Sequence, residues 1–426
     1  MLLSFRFQNH RSFRDEQQLN LLPVYESDTG DADPALEAVP VVGIFGANAS
    51  GKSNVVSALQ YMSGMVGQSD RESEPGRGPR RQPFRLDPAI TGEPSSYAAD
   101  LMLDGVHHTY GFTLDDTGIA EEWLYTYPLR RKRVIFERTR QLFTWGEESR
   151  RSGIRRLEDI VAPAALFLSV SARFDPHGRD VNNPDPTAEI MHRVFSWLWQ
   201  SVTRDVPITR ERTRISQYTK WLMDPERRTA LRNLLRSADI GLTDVLASRP
   251  EPNPESGIHL GFGDVHFIHR GTASNDVQFQ ISDESSGTLR LLELTARALP
   301  ILDHGGLFLV DEIDASLHPL LTVALVRLFR SADVNRHGAQ LIFTTHDAML
   351  LSSIDGEDVL RRDEVWFTSK GDHGASELFP LSDFKPRRQG ENRQKRYLNG
   401  NYGAIPELSM RLFEQAVMSR VDEHAG

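Results

Sequence analysis

One eight-residue segment limits this chain more than any other. Gly46, Ala47, Asn48, Ala49, Ser50, Gly51, Lys52 and Ser53 read GANASGKS, a full match to G-x-x-x-x-G-K-[ST]. Such a loop works only between a buried strand and the N-terminus of a helix. Residues 39–45 (VPVVGIF) are a short apolar run bounded by turn residues, which predicts the strand. Residues 53–65 place Val56, Leu59 and Met62 at helical spacing, which predicts the helix. The glycines let the backbone turn so that several amides face one point, and the helix dipole adds positive potential there. A nucleotide is the expected occupant, with Lys52 neutralising the β- and γ-phosphates and the Ser53 hydroxyl on Mg2+.

Composition bounds the rest. The 426 residues leave room for about two or three domains, or one large domain with insertions. A 39% hydrophobic and 25% charged chain can build a real core. No run approaches the ~18 apolar residues that a membrane span needs. The opening MLLSFRFQNHRSF is broken by Arg6, His10 and Arg11, unlike a secretory leader. Cysteine is absent, which excludes disulfides and thiolate metal sites. A cytoplasmic protein is expected. The net charge of -10 argues against a surface coated in basic charge for nucleic acid, although a local basic groove stays open.

Along the chain, residues 2–8 and 17–22 read as strands around an NHRSF turn, and residues 67–94, rich in Gly, Pro and charge, read as a loop. Residues 97–143 predict an antiparallel meander of short strands. Residues 187–237 carry helical periodicity, with Ile190, Val194, Phe195, Leu198 and Trp199 on one face and no sustained heptads. Strands return over 242–281. Residues 287–299 and 315–329 then predict helices alternating with buried strands at 307–310 and 340–345, the pattern of a parallel sheet with crossovers.

Two of these strands end in chemistry. Residues 307–312 read LFLVDE, placing Asp311 to reach Mg2+ through water and Glu312 to orient or deprotonate an attacking water. Residues 341–346 read LIFTTH and bring His346 to the same end of the sheet, within reach of a γ-phosphate. Residues 283–290 (DESSGTLR) put Ser285, Ser286 and Gly287 at a helix N-terminus, which is either a plain cap or a second anion site.

The order GANASGKS, SSGT, LFLVDEIDASLHP, TTH resembles the ABC-type ATPase heads of the RecF/SMC class. It is most similar to the RloA-like and related ATPases of bacterial phage-defence operons, which NHRSF, QPF at residues 82–84 and QKRYLNGNYGAIP at residues 394–406 also resemble. The resemblance implies two heads facing each other with ATP at the junction. Ser286 and Gly287 of one subunit would contact the γ-phosphate bound by the other, with Asp314 and Ser316 in the dimer-contact loop and Gln82 sensing Mg2+. SSGT replaces the double glycine of the transporter type, which weakens the contact across the junction.

The expected fold is therefore α/β: an ABC-type ATPase head, with a P-loop parallel sheet and a β-meander, carrying a helical insertion and a helical C-terminal extension. The expected parts are the N-terminal half of the head (1–180), the insertion (181–240), the C-terminal half of the head (241–385) and a basic tail (386–426). The expected activity is Mg2+-dependent ATP hydrolysis, with ATP preferred to GTP and Lys52, Glu312 and His346 catalytic. The chain would form an ATP-dependent homodimer, with larger assemblies open, and act as a sensor or platform in antiphage defence. Only 80 residues follow His346, too few for a fused nuclease domain, so the effector is expected in a separate protein, for instance of the Toprim type. Two basic clusters, Arg130 to Arg140 and Lys385 to Arg396, are candidate docking surfaces for that partner or for nucleic acid, the second being the better placed. The alternatives are a RecF-like repair ATPase and a scaffold that holds ATP without turning it over.

Overall fold

The computed structural model describes residues 1–25, 38–73, 76–174, 185–204, 222–238, 241–247, 265–272, 275–387 and 390–405. A six-stranded sheet divides the molecule. Its order runs Ser376–Pro380, Val365–Lys370, Val41–Gly46, Gln340–Thr344, Leu307–Val310, Val202–Arg204. All pairs are parallel except the Val365–Lys370/Ser376–Pro380 hairpin at one edge.

The sheet separates two apolar cores, and the strand alternation shows how. Val42 and Ile44 face one core while Val41 and Phe45 face the other. Leu309 and Phe308 divide in the same way, as do Ile342 and Phe343. Strands buried on both faces read as near-continuous hydrophobic runs, and the buried polar side chains at their ends, such as Gln340 and Thr344, are hydrogen-bonded. Truncating one of these side chains, such as fully buried Phe343, would cost about 3–5 kcal/mol.

The first core lies under a seven-stranded antiparallel sheet in the order Gln17–Asn20, Leu2–Gln8, Ser95–Leu103, Val106–Leu114, Ile119–Thr126, Arg133–Thr139, Leu142–Trp145. This is the meander expected for residues 97–143, joined by the two N-terminal strands. Gln340 stitches the two sheets together: its side chain takes the Leu2 N–H at 2.6 Å and donates to the Leu2 carbonyl at 2.9 Å.

Two buried charges tie the meander to the helices beneath it. Glu122 accepts the N–H groups of Phe167 at 2.7 Å and Leu168 at 3.0 Å, the Tyr110 hydroxyl at 3.0 Å, and Arg138 at 3.3 Å. Its carboxylate thus satisfies the free amides at the start of helix Phe167–Phe174, an element that the sequence reading did not identify. Burial raises the Glu122 pKa, and Arg138 and the two amides oppose that rise.

Three local expectations need correction. Residues 67–94 do not begin as a loop, because the helix after the phosphate loop runs Lys52–Glu72. Gly67 belongs to it for reasons of space, since a Cβ there would meet the Trp199 ring at 2.0 Å. The helix expected over 315–329 is Pro319–Arg330. Ser316 sits at φ 63°, outside helical space, and His318 caps the helix by accepting the Leu320 N–H, with Pro319 at the first position. The insertion is not purely helical either. Helices Pro186–Gln200 and Pro225–Ala238 are present, but Val202–Arg204 joins the edge of the core sheet beside Leu307–Leu309. Residues 181–184, 205–221 and 239–240 of the insertion, and 388–389 and 406–426 of the expected tail, lie outside the described residues. Among the described residues, no helix is long and apolar enough to cross a membrane.

Candidate functional site

The phosphate loop leaves the C-terminal end of strand Val41–Gly46 and enters helix Lys52–Glu72, the context its pattern requires. Gly46 and Gly51 are both obligatory. A Cβ on Gly46 would come within 2.6 Å of both hydroxyls of the Ser50–Thr368 pair, and one on Gly51 within 2.7 Å of the Ser376 hydroxyl. Both residues also have positive φ, 156° and 115°. The loop is therefore pressed against the Val365–Pro380 hairpin, with Ser50 and Thr368 hydrogen-bonded at 2.6 Å.

A cleft of about 830 Å3 opens over the loop, a size suited to a nucleotide. Asn48, Ala49, Ser50, Gly51, Lys52 and Ser53 form its floor, and Glu312, Asp314, Ala315 and His346 its wall. Residues nearly 300 positions apart thus meet because adjacent parallel strands end at one edge. Lys52 donates to the Gly46 and Ala47 carbonyls, each at 2.9 Å. Burial lowers its pKa, and the carboxylates of Asp311, Glu312 and Asp314 oppose that lowering.

Asp311 is exposed and does not itself line the cleft, and its carboxylate accepts the Thr344 hydroxyl at 2.5 Å. Glu312 follows at φ 51°, a strained conformation for a residue with a Cβ. That backbone state ends the strand abruptly and lets Glu312 line the cleft. The His346 N–H approaches Asp314 at 3.4 Å, linking the two wall segments.

This set fits a nucleoside triphosphate with a divalent cation. An ammonium, a hydroxyl and free helix amides face the space that phosphates need, and carboxylates stand opposite. Among the described residues, no group of three or more His, Asp or Glu side chains could hold a metal alone. Ser53 and Asp311 would accordingly share the cation with phosphate oxygens.

Other expected residues lie apart. Gln82 lines an adjoining cavity of about 380 Å3 that shares Ser12 and Lys370 with the main cleft, and its side-chain oxygen accepts Arg11 Nε. Ser285 and Ser286 are exposed at the start of helix Ser286–His304 and do not line the cleft of their own chain. Ser285 caps this helix, accepting the Thr288 N–H at 3.0 Å, so the plain-cap reading holds within one chain. A Cβ on Gly287 would meet the Ser316 carbonyl at 2.9 Å, which sets the serines beside the Asp314–Ser316 loop.

Four lining residues, Ser12, Asn54, Ala315 and Lys370, were not identified as site residues from the sequence. Ser12 belongs to the NHRSF turn and accepts Asn54 Nδ2 at 2.7 Å and the Ser376 hydroxyl at 2.8 Å. The turn itself is locked by His10, whose ring nitrogens reach the Tyr97 hydroxyl at 2.8 Å and the Ser57 hydroxyl at 3.2 Å. Burial drives the His10 pKa down to about 3. The signal available for Ser12 was that motif, and for Lys370 its rarity as one of six lysines.

The basic clusters are largely spent on structure. Arg138 is buried with Glu122, and Arg140 pairs with Asp115. Near the C-terminus Arg393 is 4% exposed, paired with Asp358 at 2.6 Å and donating to the Leu360 carbonyl at 2.9 Å. Arg396 pairs with Glu391 and lies over the Tyr402 ring. Two cations of the C-terminal cluster thus hold the segment in place, while Lys385, Arg387 and Lys395 are exposed. Arg388 lies outside the described residues.

Comparison with known proteins adds a family and a set of similar folds. The family described as "AAA domain, putative AbiEii toxin, Type IV TA system" matches residues 41–352. No curated protein is a sequence match to the chain. Among solved structures, the SMC head domain from Thermotoga maritima is similar at 15% identity and TM-score 0.42, covering 89% of this chain and 98% of that one. An SMC head bound to the C-terminal winged-helix domain of ScpA matches at 16% identity and TM-score 0.42, over 90% and 99% of the two chains. An SMC head with an extended coiled coil, bound to the C-terminal domain of ScpA derived from Pyrococcus furiosus, matches at 14% identity and TM-score 0.40, over 90% and 97%.

Proposed function

The chain belongs to this AAA-domain family, and from that premise we propose that it is a cytoplasmic, Mg2+-dependent ATPase that closes into a homodimer around ATP. The observation that carries the reading is the single cleft gathering Lys52, Ser53, Glu312 and His346 from separate parts of the sheet. The free amides at the start of helix Lys52–Glu72 bind the phosphates, and Lys52 turns from the Gly46 and Ala47 carbonyls to meet them. Ser53 and Asp311 would hold Mg2+, which when bound neutralises charge on the β- and γ-oxygens. Glu312 orients the attacking water and takes its proton, and His346 stabilises the charge that develops on the γ-phosphoryl group.

The exposed Ser285 and Ser286 support a site completed by a second copy. They leave their own cleft empty of a cap and are free to cover a partner's. The family description names a toxin–antitoxin setting. The role as sensor or platform in antiphage defence, beside a separately encoded effector such as a Toprim-type nuclease, rests instead on the resemblance carried by the NHRSF, QPF and QKRYLNGNYGAIP segments.

Glu312→Gln tests the core of this reading. Phosphate release should fall about 100-fold or more while ATP binding persists. Size determination by light scattering should then show a dimer with Mg2+ and ATP, and a monomer without them. An ATP-loaded variant that stays monomeric at micromolar concentration would refute the shared site, and unchanged phosphate release would refute the role of Glu312.

A further inference from the structure

We propose that the cavity beside the phosphate loop binds a further phosphate, carried on the ribose of the bound nucleotide, and that Arg85 is one of its ligands. The inference rests on the reading of the main cleft as a nucleotide site and names the class of nucleotide that this site takes.

Sheet order sets the direction in which a nucleotide lies. Strand Val41–Gly46, which leads into the phosphate loop, has Gln340–Thr344 on one side and Val365–Lys370 on the other, both parallel to it. Glu312 and His346 follow the strands on the first side, and Lys370 ends the strand on the second. The reacting end of a triphosphate belongs with Glu312 and His346, so its nucleoside end points toward Lys370. There the cleft continues, through the shared residues Ser12 and Lys370, into the adjoining cavity of about 380 Å3. That volume is ordinary for a small-molecule site.

The cavity differs in chemistry from the wall at the opposite end, which carries Glu312 and Asp314. Arg11, Arg85 and Lys370 line it, all three exposed, and none of its lining residues is acidic. Arg11 is held by Gln82, which accepts its backbone N–H at 2.6 Å through the carbonyl and its Nε through the side chain. Among the described residues, Arg85 and Lys370 make no ion pair or hydrogen bond with any side chain. Leu86 adds an apolar face. It is 65% exposed and rests against Gly374, where a Cβ would come within 2.3 Å of its Cδ1.

ATP leaves this charge unanswered. Its phosphates lie over the loop with Lys52 and the helix amides, and its base and ribose are neutral. In a chain of net charge -10, three cations around one space without a carboxylate are a local excess that favours an anion. A phosphate on the ribose supplies that anion at the nucleoside end, where guanidinium groups bind it with paired hydrogen bonds while the base meets Leu86.

The test is equilibrium binding to the full chain, comparing Mg·ATP with the Mg2+ complex of ATP that carries a 3′-phosphate. The ribose-phosphorylated nucleotide should bind about tenfold tighter or more. Arg85→Ala changes an exposed side chain that does not line the main cleft. It should erase the advantage and leave Mg·ATP affinity within about twofold of wild type, whereas Arg85→Lys should keep part of the advantage. Amide hydrogen exchange over residues 82–86 should slow more with the phosphorylated nucleotide than with Mg·ATP. Equal affinity of wild type for the two nucleotides overturns the proposal and leaves the ATPase reading intact, as does an advantage that survives Arg85→Ala. Inorganic phosphate that tightens Mg·ATP binding equally well would put a free anion in the cavity and overturn the assignment to ribose. Binding of neither nucleotide defeats the proposed function and this inference with it.

Discussion

The Thr344 hydroxyl donates to the Asp311 carboxylate at 2.5 Å and accepts the Glu312 N–H at 2.8 Å. One side chain on the neighbouring strand therefore sets the direction of both acidic residues. Thr344→Val keeps the shape and strands the Glu312 N–H without a partner, a loss of about 1–3 kcal/mol. Phosphate release should fall about 10- to 100-fold while ATP affinity changes little. Steady-state release together with an ATP titration checks this, and full turnover would show that the carboxylates need no such guide.

Ser286 offers a test that spares the cleft. Ser286→Arg puts a long cation on an exposed helix start that does not line the cleft of its own chain. ATP affinity should stay near that of wild type, while turnover falls about 100-fold and the ATP-dependent dimer is lost. Normal turnover by a monomeric variant would mean that one chain suffices.

The Glu122–Arg138 pair predicts a large stability effect away from the site. Both side chains are fully buried, so Glu122→Gln leaves a guanidinium without its counter-charge. Destabilisation of about 3–5 kcal/mol is expected by urea denaturation. A loss below ~1 kcal/mol would mean that the Arg138 contacts with the Ala165 and Arg140 carbonyls carry the charge.

His10 sets a pH dependence with a definite sign. Its pKa is lowered from 6.5 to about 3, so between these values the unfolded chain binds a proton that the native chain refuses. Stability contributed by this residue is complete above pH 6.5 and declines as pH falls, by about 1.4 kcal/mol per unit. His10→Gln is expected to be less stable at pH 7.5 yet to have a flatter profile between pH 6.5 and 4.5. Parallel unfolding profiles for the two proteins would contradict this.

Much of the site was legible because it is encoded locally. GANASGKS, LFLVDE and TTH each combine an apolar run with a polar end, and parallel pairing brings those ends together. Helix Phe167–Phe174 was not legible, because the group that satisfies its first amides is Glu122, on a strand 45 residues earlier. Ser12 escaped for a related reason, since its place in the cleft depends on partners at Asn54 and Ser376. The C-terminal arginines misled differently. Charge reads as surface in a sequence, whereas Arg393 is buried against Asp358.

Ala49 and Glu312, which line the cleft, and Ser316, just beyond its wall residue Ala315, all hold positive φ, where glycine would be at ease. Selection for robustness alone would have relaxed these sites. Replacing Glu312 with glycine should accordingly harden the fold by about 1 kcal/mol while silencing the chemistry. The tension between endurance and work in this molecule is concentrated in a few backbone angles.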